Sequence, residues 1–168
     1  MTDAAHDARD APDPPIDTDT GPVILRSGTA DDVDAVLGVW AGADAHPTAT
    51  DDAPSVAALV ARDSDALIVA EIGGRMVGTV IATWDGWRGN MYRLAVLPDV
   101  RRRGIAASLV SEGERRLRAS GCRRVTALVV DVDVHAADFW TSVDYVPYPM
   151  TRHVHTLEPA PARPPAAP

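Results

Sequence analysis

The chain has 168 residues, a formal net charge of −8 and a single cysteine, Cys122. That length suits one domain around one hydrophobic core, the acidic balance argues against nucleic acid as a partner, and a lone cysteine excludes an internal disulfide and fits a reducing compartment. No apolar run approaches the ~20 residues needed to cross a bilayer, and the acidic start MTDAAHDARDAPDPP lacks the apolar stretch of a secretory signal, so a cytoplasmic location without membrane partners is expected.

Residues 1–21 are rich in Asp, Ala, Pro and Thr and hold almost nothing to bury, so they read as a disordered acidic tail. Six aspartates against one arginine in residues 1–20 account for −5 of the net charge. The domain itself, 22–157, is therefore only mildly acidic, and 158–168 form a second, Pro/Ala-rich disordered tail. All 16 basic residues are arginine, which the base composition of a GC-rich genome explains without a functional cause.

Val23–Arg26 has the makeup of a short strand. Thr29 and Asp32 have capping-box spacing, and Val33, Val36, Leu37 and Trp40 then recur at helical intervals. Asp52 followed by Pro54 marks a second helix start, with Val56, Leu59 and Val60 as its apolar face. Ala66–Ile72 and Met76–Thr83 flank Gly73-Gly74, a hairpin signal. A loop over 84–90 leads to a fourth strand, Met91–Leu97. A helix over Gly104–Ser120 ends at Gly121. The apolar run Val125–Val130 reads as a strand buried on both faces, Ala136–Ser142 as a short helix, and Tyr145–Pro147 and Arg152–Leu157 as late strands. Strand 91–97, helix 104–120 and strand 125–130 form a βαβ unit, so those two strands should be parallel. The fold class is mixed α/β.

The sharpest chemical signal is the stretch Leu94-Ala95-Val96-Leu97-Pro98-Asp99-Val100-Arg101-Arg102-Arg103-Gly104-Ile105-Ala106. A strand ends, a loop turns, and a helix opens on small residues. The first amides of a helix have no intrahelical partner and sit at the positive end of its dipole. With Gly104 and Ala106 leaving the backbone open and three arginines on the rim, the start of this helix suits an anion such as a pyrophosphate. The same residues also describe a tight strand–helix turn with solvated arginines.

These residues resemble the GNAT superfamily of N-acetyltransferases, over most of 23–157. Arg101-x-x-Gly104-x-Ala106 matches the superfamily motif R/Q-x-x-G-x-G/A, preceded by the fitting Val96-Leu97-Pro98-Asp99-Val100. Asp133-Val134-His135-Ala136-Ala137-Asp138-Phe139-Trp140 is similar to the later N-x-x-A-x-x-F-Y element, and the Asp85-Gly86-Trp87-Arg88-Gly89 loop to that of small bacterial members of the YpeA-like group. The resemblance implies a central, mostly antiparallel mixed sheet of six to seven strands, with the parallel fourth and fifth splayed apart, flanked by about four helices. It implies acetyl-CoA as acyl donor, with pantetheine along the backbone of Leu94, Ala95 and Val96. Its pyrophosphate would lie on Arg101, Arg102, Arg103, Gly104, Ile105, Ala106 and Ala107, and Asp133, Phe139 and Trp140 would flank the thiol. Asp133 replaces a usual asparagine. Trp140 stands where many members carry the tyrosine that protonates the departing thiolate, and an indole N–H is no useful acid.

The implied reaction is direct attack of an amine on the thioester, with no protein nucleophile. The amide of Val96 is a candidate for polarising the carbonyl. Tyr92, two residues before Leu94 and so expected on its face, is the candidate acid, acting through water if need be, or else a half-buried strand aromatic. Asp85 is the candidate base or amine-binding group, or else a turn residue. Glu71, Asn90, His135 and His153 are weaker candidates. Trp84 and Trp87, with Trp40 and with His46 between the first helices, are candidates for lining the acceptor site, against packing roles for the tryptophans. His153-x-His155 lacks a third ligand, so no metal is expected. The reading is an N-acetyltransferase for a small-molecule or peptide amine, monomeric or homodimeric. Protein N-terminal or lysine acetylation, and a non-catalytic acyl-CoA-binding regulatory module, are the alternatives.

Overall fold

Residues 21–129, 134–149 and 153–154 are described by a computed structural model of the chain. Strand β1 (Ile24–Ser27) leads into the capping box, where the Thr29 amide and hydroxyl both donate to the Asp32 carboxylate, at 2.7 and 2.9 Å. A 3-10 turn over Ala30–Asp32 then runs into α1 (Val33–Gly42). Asp52 caps α2 (Ala53–Arg62) by accepting from the Ser55 amide at 2.7 Å, and Pro54 lies in the first turn, where its missing N–H is no loss.

Gly73 and Gly74, at φ 58° and 82°, join β2 (Leu67–Ile72) to β3 (Arg75–Trp84), the positive-φ pair that a two-residue hairpin requires. The next turn is tighter than the loop expected over 84–90. Asp85 Oδ1 accepts from the amides of Trp87 and Arg88, both at 2.8 Å, so Gly89 and Asn90 join β4 (Gly89–Val96) and pair with Trp84 and Thr83. Helix α3 (Ile105–Ala119) ends in a Schellman motif: Gly121, at φ 91°, donates to the Arg118 carbonyl and Cys122 to that of Leu117. β5 (Val125–Ala127) and α4 (Val134–Ser142) complete the described elements.

The strands lie in the order β1-β2-β3-β4-β5, with the first three pairings antiparallel and β4·β5 parallel, as the βαβ reading requires. Alternation along β2 sends Ile68, Ala70 and Ile72 to one face of the sheet and Leu67 and Val69 to the other. The first face is covered by α3 and α4, through Ile105, Leu109, Val110, Leu117 and Trp140; the second by α1 and α2, through Val33, Val36, Val39, Trp40 and Val56. Gly113 lets α3 cross the sheet closely, because a Cβ there would stand 2.9 Å from Met91 Cε and 3.2 Å from Ala82 Cβ. Truncating a fully buried contact such as Leu109 to alanine is expected to cost about 2–5 kcal/mol.

The sheet has five strands among the described residues. Two expectations change. Tyr145–Pro147 is no strand: Asp144 turns the chain at φ 67°, the Tyr145 amide bonds back to the Trp140 carbonyl at 3.0 Å, and Pro147 and Pro149 bring no amide protons. β5 stops at Ala127, with all three residues half-buried and Leu128 exposed, where a longer strand buried on both faces was expected. Of the expected strand 152–157, only 153 and 154 lie among the described residues; Val130 and Asp133 lie outside them.

Candidate functional site

The stretch between β4 and α3 begins with a 3-10 turn over Pro98–Val100, whose Val100 is buried and anchors it to the core. Arg102 (φ 64°) and Gly104 (φ 78°) then take left-handed backbone conformations, and Gly104 becomes the N-cap of α3. No side chain caps this helix. The Ser108 amide bonds to the Gly104 carbonyl at 3.0 Å, leaving the amides of Ile105, Ala106 and Ala107 as the first-turn donors. Gly104 is exposed, and a Cβ on it would meet nothing within 4 Å. Its glycine therefore serves the backbone angle and keeps the space in front of those amides open, which fits a diphosphate. The Ile105 side chain is buried beneath, at 2% exposure.

Arg101 does not point into this space. Its Nε donates to the Val96 carbonyl at 3.0 Å and its Nη2 to the Ala43 carbonyl at 3.1 Å, so the side chain folds back and ties the end of β4 to the end of α1. Arg102 and Arg103 are exposed and supply the positive rim.

The parallel ladder to β5 is short. It pairs Gly89 with Val125, Asn90 with Thr126 and Met91 with Ala127, after which β5 ends while β4 runs on to Val96. On its other side β4 carries a β-bulge: Ile81 faces Tyr92 and Thr79 faces Ala95, so that Val80 is opposed by both Arg93 and Leu94, with Arg93 at φ 50°. The extra residue breaks the strand's alternation. Met91, Leu94 and Val96 pack toward α3, whereas Tyr92 lies opposite Ile81, which packs toward α1 and α2. Tyr92, 37% exposed, is therefore on the face away from Leu94, not on the same face as expected from its spacing.

The bulge is held from two directions. The Thr79 hydroxyl, fully buried, donates to the Arg93 carbonyl at 3.1 Å and accepts from Trp40 Nε1 at 2.9 Å. The Arg93 guanidinium lies 5.2 Å from the Trp40 ring centre, donates to the His46 carbonyl at 2.9 Å and Thr48 Oγ1 at 3.0 Å, and pairs with Asp51. Trp40 is thus 4% exposed and committed to this packing, and His46 lies exposed in a loop whose main chain Arg93 holds. Sequence reasoning missed Thr79, Arg93 and Asp51. One signal was available: Arg93 is a charge inside an otherwise uncharged strand.

Asp85, Trp84 and Trp87 sit at the hairpin before the paired end of β4, removed along the strand from Gly104. The Asp85 carboxylate is occupied by the turn, and the Arg88 and Trp87 amides hold its pKa below the usual range, which weakens it as a base. Trp87 is 73% exposed with the Arg88 guanidinium 4.0 Å over its ring, and Trp84 is 39% exposed. On the other face, Trp140 is 8% exposed and packs edge-on to Phe139 and Tyr145, at centroid distances of 5.5 and 4.7 Å. Burial raises the Tyr145 pKa, and its hydroxyl lies 3.6 Å from Met91 Sδ, so this tyrosine is no acid substitute for Trp140. Among the described residues, no group of three or more His, Cys, Asp or Glu side chains is placed to hold a metal, and no helix is long and apolar enough to cross a membrane.

The model of the acetyltransferase (GNAT) family matches residues 36–145. An acetyltransferase of Pectobacterium atrosepticum is 34% identical over 121 residues, 72% of this chain and 86% of that protein. Among solved structures, the aminoglycoside N-acetyltransferase AAC(6')-Iy in complex with CoA superposes with a TM-score of 0.64 at 17% identity, covering 80% of this chain and 95% of that one. Ard1 from Thermoplasma volcanium superposes with a TM-score of 0.67 at 16% identity, covering 74% and 82%.

Proposed function

The chain belongs to the GNAT acetyltransferase family and is an acetyl-CoA-dependent acetyltransferase, and we propose that its acceptor is a primary amine of a small molecule or peptide, attacking the thioester directly in a ternary complex. The observation that carries this reading is the open, uncapped start of α3 at Gly104, immediately beyond a strand that has outrun its parallel partner. The first-turn amides of α3 grip the pyrophosphate, with Arg102 and Arg103 beside them. The backbone of Leu94, Ala95 and Val96 receives the pantetheine amides as an added strand, in the six- to seven-stranded, splayed sheet that belongs to this reading. Arg101 contributes by fixing the end of β4, not by touching phosphate.

The amine nitrogen bonds to the thioester carbon, the carbon–sulfur bond breaks, and two protons must move: one leaves the amine and one reaches the thiolate. Val96, through its amide, polarises the carbonyl. Tyr92, on the α1/α2 face, serves the proton movement through water. That face, with the His46 loop, is the side from which the acceptor enters. Trp140, with Phe139, borders the thiol as packing and not as an acid. Asp85, Trp84 and Trp87 form the outer part of the acceptor approach. The free, half-buried Cys122 suits the cytoplasm.

The test is thiol release from acetyl-CoA across a panel of amines: spermidine, kanamycin, a peptide with a free α-amine, and Nα-acetyl-lysine. Turnover with any of them, reduced about tenfold or more in kcat by Tyr92→Phe with little change in acetyl-CoA KM, is expected. Release with the free-α-amine peptide alone narrows the acceptor to peptide or protein N-termini, and release with Nα-acetyl-lysine alone narrows it to lysine side chains. Calorimetric CoA binding with no turnover on any amine selects the regulatory module.

A further inference from the structure

Arg93 is the only charged residue of β4 and the residue that its bulge inserts. A left-handed backbone is costly for a residue other than glycine unless the surroundings fix it, and here they fix it at both ends. Below, Trp40 and Thr79 hold its carbonyl. Outward, its guanidinium holds the loop between α1 and α2 through the His46 carbonyl, the Thr48 hydroxyl and the Asp51 carboxylate. The Thr48 amide and hydroxyl bond the same carboxylate, at 2.7 and 3.1 Å, so Asp51 closes the loop on itself as well as on the strand.

Both members of the ion pair are 15% exposed in their side chains. Pairs of that burial are often replaceable by apolar contacts without loss of stability, so their clearest use is to fix one arrangement among several. In the proposed reaction the elements joined are two sides of one site. The bulge lies in the part of β4 beyond the ladder to β5, and the loop 43–52 lies on the α1/α2 face, the side proposed above for acceptor entry.

We infer that Arg93 is a positioning residue that locks the acceptor-side loop 43–52 to the bulged stretch of β4, so that acceptor amine and acetyl donor meet in one geometry. This rests on the acetyl-transfer reading for its consequence but not for the coupling itself. It makes the loop a preformed wall, and it makes loop order and strand shape one variable.

Hydrogen–deuterium exchange on the full chain without ligand tests the coupling. Arg93→Met keeps an apolar stem and removes every donor; Asp51→Asn removes the ionic partner. Both are expected to speed exchange at least about tenfold in segments 43–52 and 91–96 together, with the α3 segment 109–117 unchanged as the internal control for global stability. Arg93→Lys, which can still pair with Asp51, restores part of the protection in both segments. Faster exchange confined to 43–52, with 91–96 still protected, overturns the coupling. In the thiol-release assay with the amine panel, Arg93→Met lowers kcat at least about tenfold while acetyl-CoA KM stays within about threefold. Wild-type kcat in a variant with both segments loosened overturns the positioning role. If the wild-type chain acetylates none of the amines, the acetyl-transfer reading fails, and exchange still decides whether Arg93 joins loop and strand.

Discussion

Substitution at Gly104 separates a backbone effect from a binding effect, because the two rank alanine and asparagine in opposite order. At φ 78° an ordinary L-residue costs about 1–2 kcal/mol. Nothing lies within 4 Å of a Cβ at this position, so Gly104→Ala adds no clash, and its stability loss should stay near that figure. Asparagine enters the left-handed region more readily, so Gly104→Asn should lose less, under about 1 kcal/mol. For CoA the order reverses, since the longer side chain reaches into the space before the Ile105, Ala106 and Ala107 amides. Displacing one charge-assisted hydrogen bond costs about 1.5–3 kcal/mol, or roughly 10- to 150-fold in affinity, against less than about tenfold for alanine. Urea unfolding gives the first ranking and calorimetric titration with CoA the second. If Gly104→Asn binds CoA better than Gly104→Ala, affinity is following the backbone, and the diphosphate does not sit against these amides.

Thr79→Val leaves the buried Trp40 indole N–H without its acceptor and the Arg93 carbonyl without its donor; it should cost about 2–3 kcal/mol in urea unfolding with an unchanged m-value, and a loss below about 0.5 kcal/mol would contradict the relay. Arg101→Met should lower stability by about 1–2 kcal/mol through the lost Val96 and Ala43 contacts, with CoA affinity by calorimetry changed less than about threefold. Glu112 is held by Arg115, and then Arg116, at a pKa of about 2, down from its ordinary 4.5. Its contribution is therefore complete above pH 4.5 and is lost as pH falls toward 2, so Glu112→Gln should be less stable than wild type at pH 7 and flatten the fall in urea midpoint over that window.

What the sequence disclosed was what a few neighbouring residues decide among themselves. Asp52 with Pro54, Gly73-Gly74 and Gly121 each act within four or five residues, and each forms the cap or turn expected of it. The Gly104 helix start was legible for the same reason. The bulge was not, because it depends on Thr79 and Trp40, distant in sequence, holding one carbonyl of β4. Without it, the spacing of Tyr92 and Leu94 implied a shared face that the extra residue removes. Arg101 showed its charge but not its direction, which the Val96 and Ala43 carbonyls set. Tyr145 has strand propensity, but Asp144 before it turns the chain, and Pro147 and Pro149 after it cannot donate to a ladder.

The extra residue in β4 also governs what kinds of genetic change the strand tolerates. Side chains in a strand alternate with a period of two, yet Met91 and Leu94, three apart, both pack toward α3 because the bulge lies between them. An in-frame loss of codon 93 would leave them two apart, so Met91, Leu94 and Val96 would keep the α3 side in a regular strand. No face would invert; what would vanish is the left-handed residue and its hold on the loop 43–52. The extra codon is thus one the sheet itself does not require.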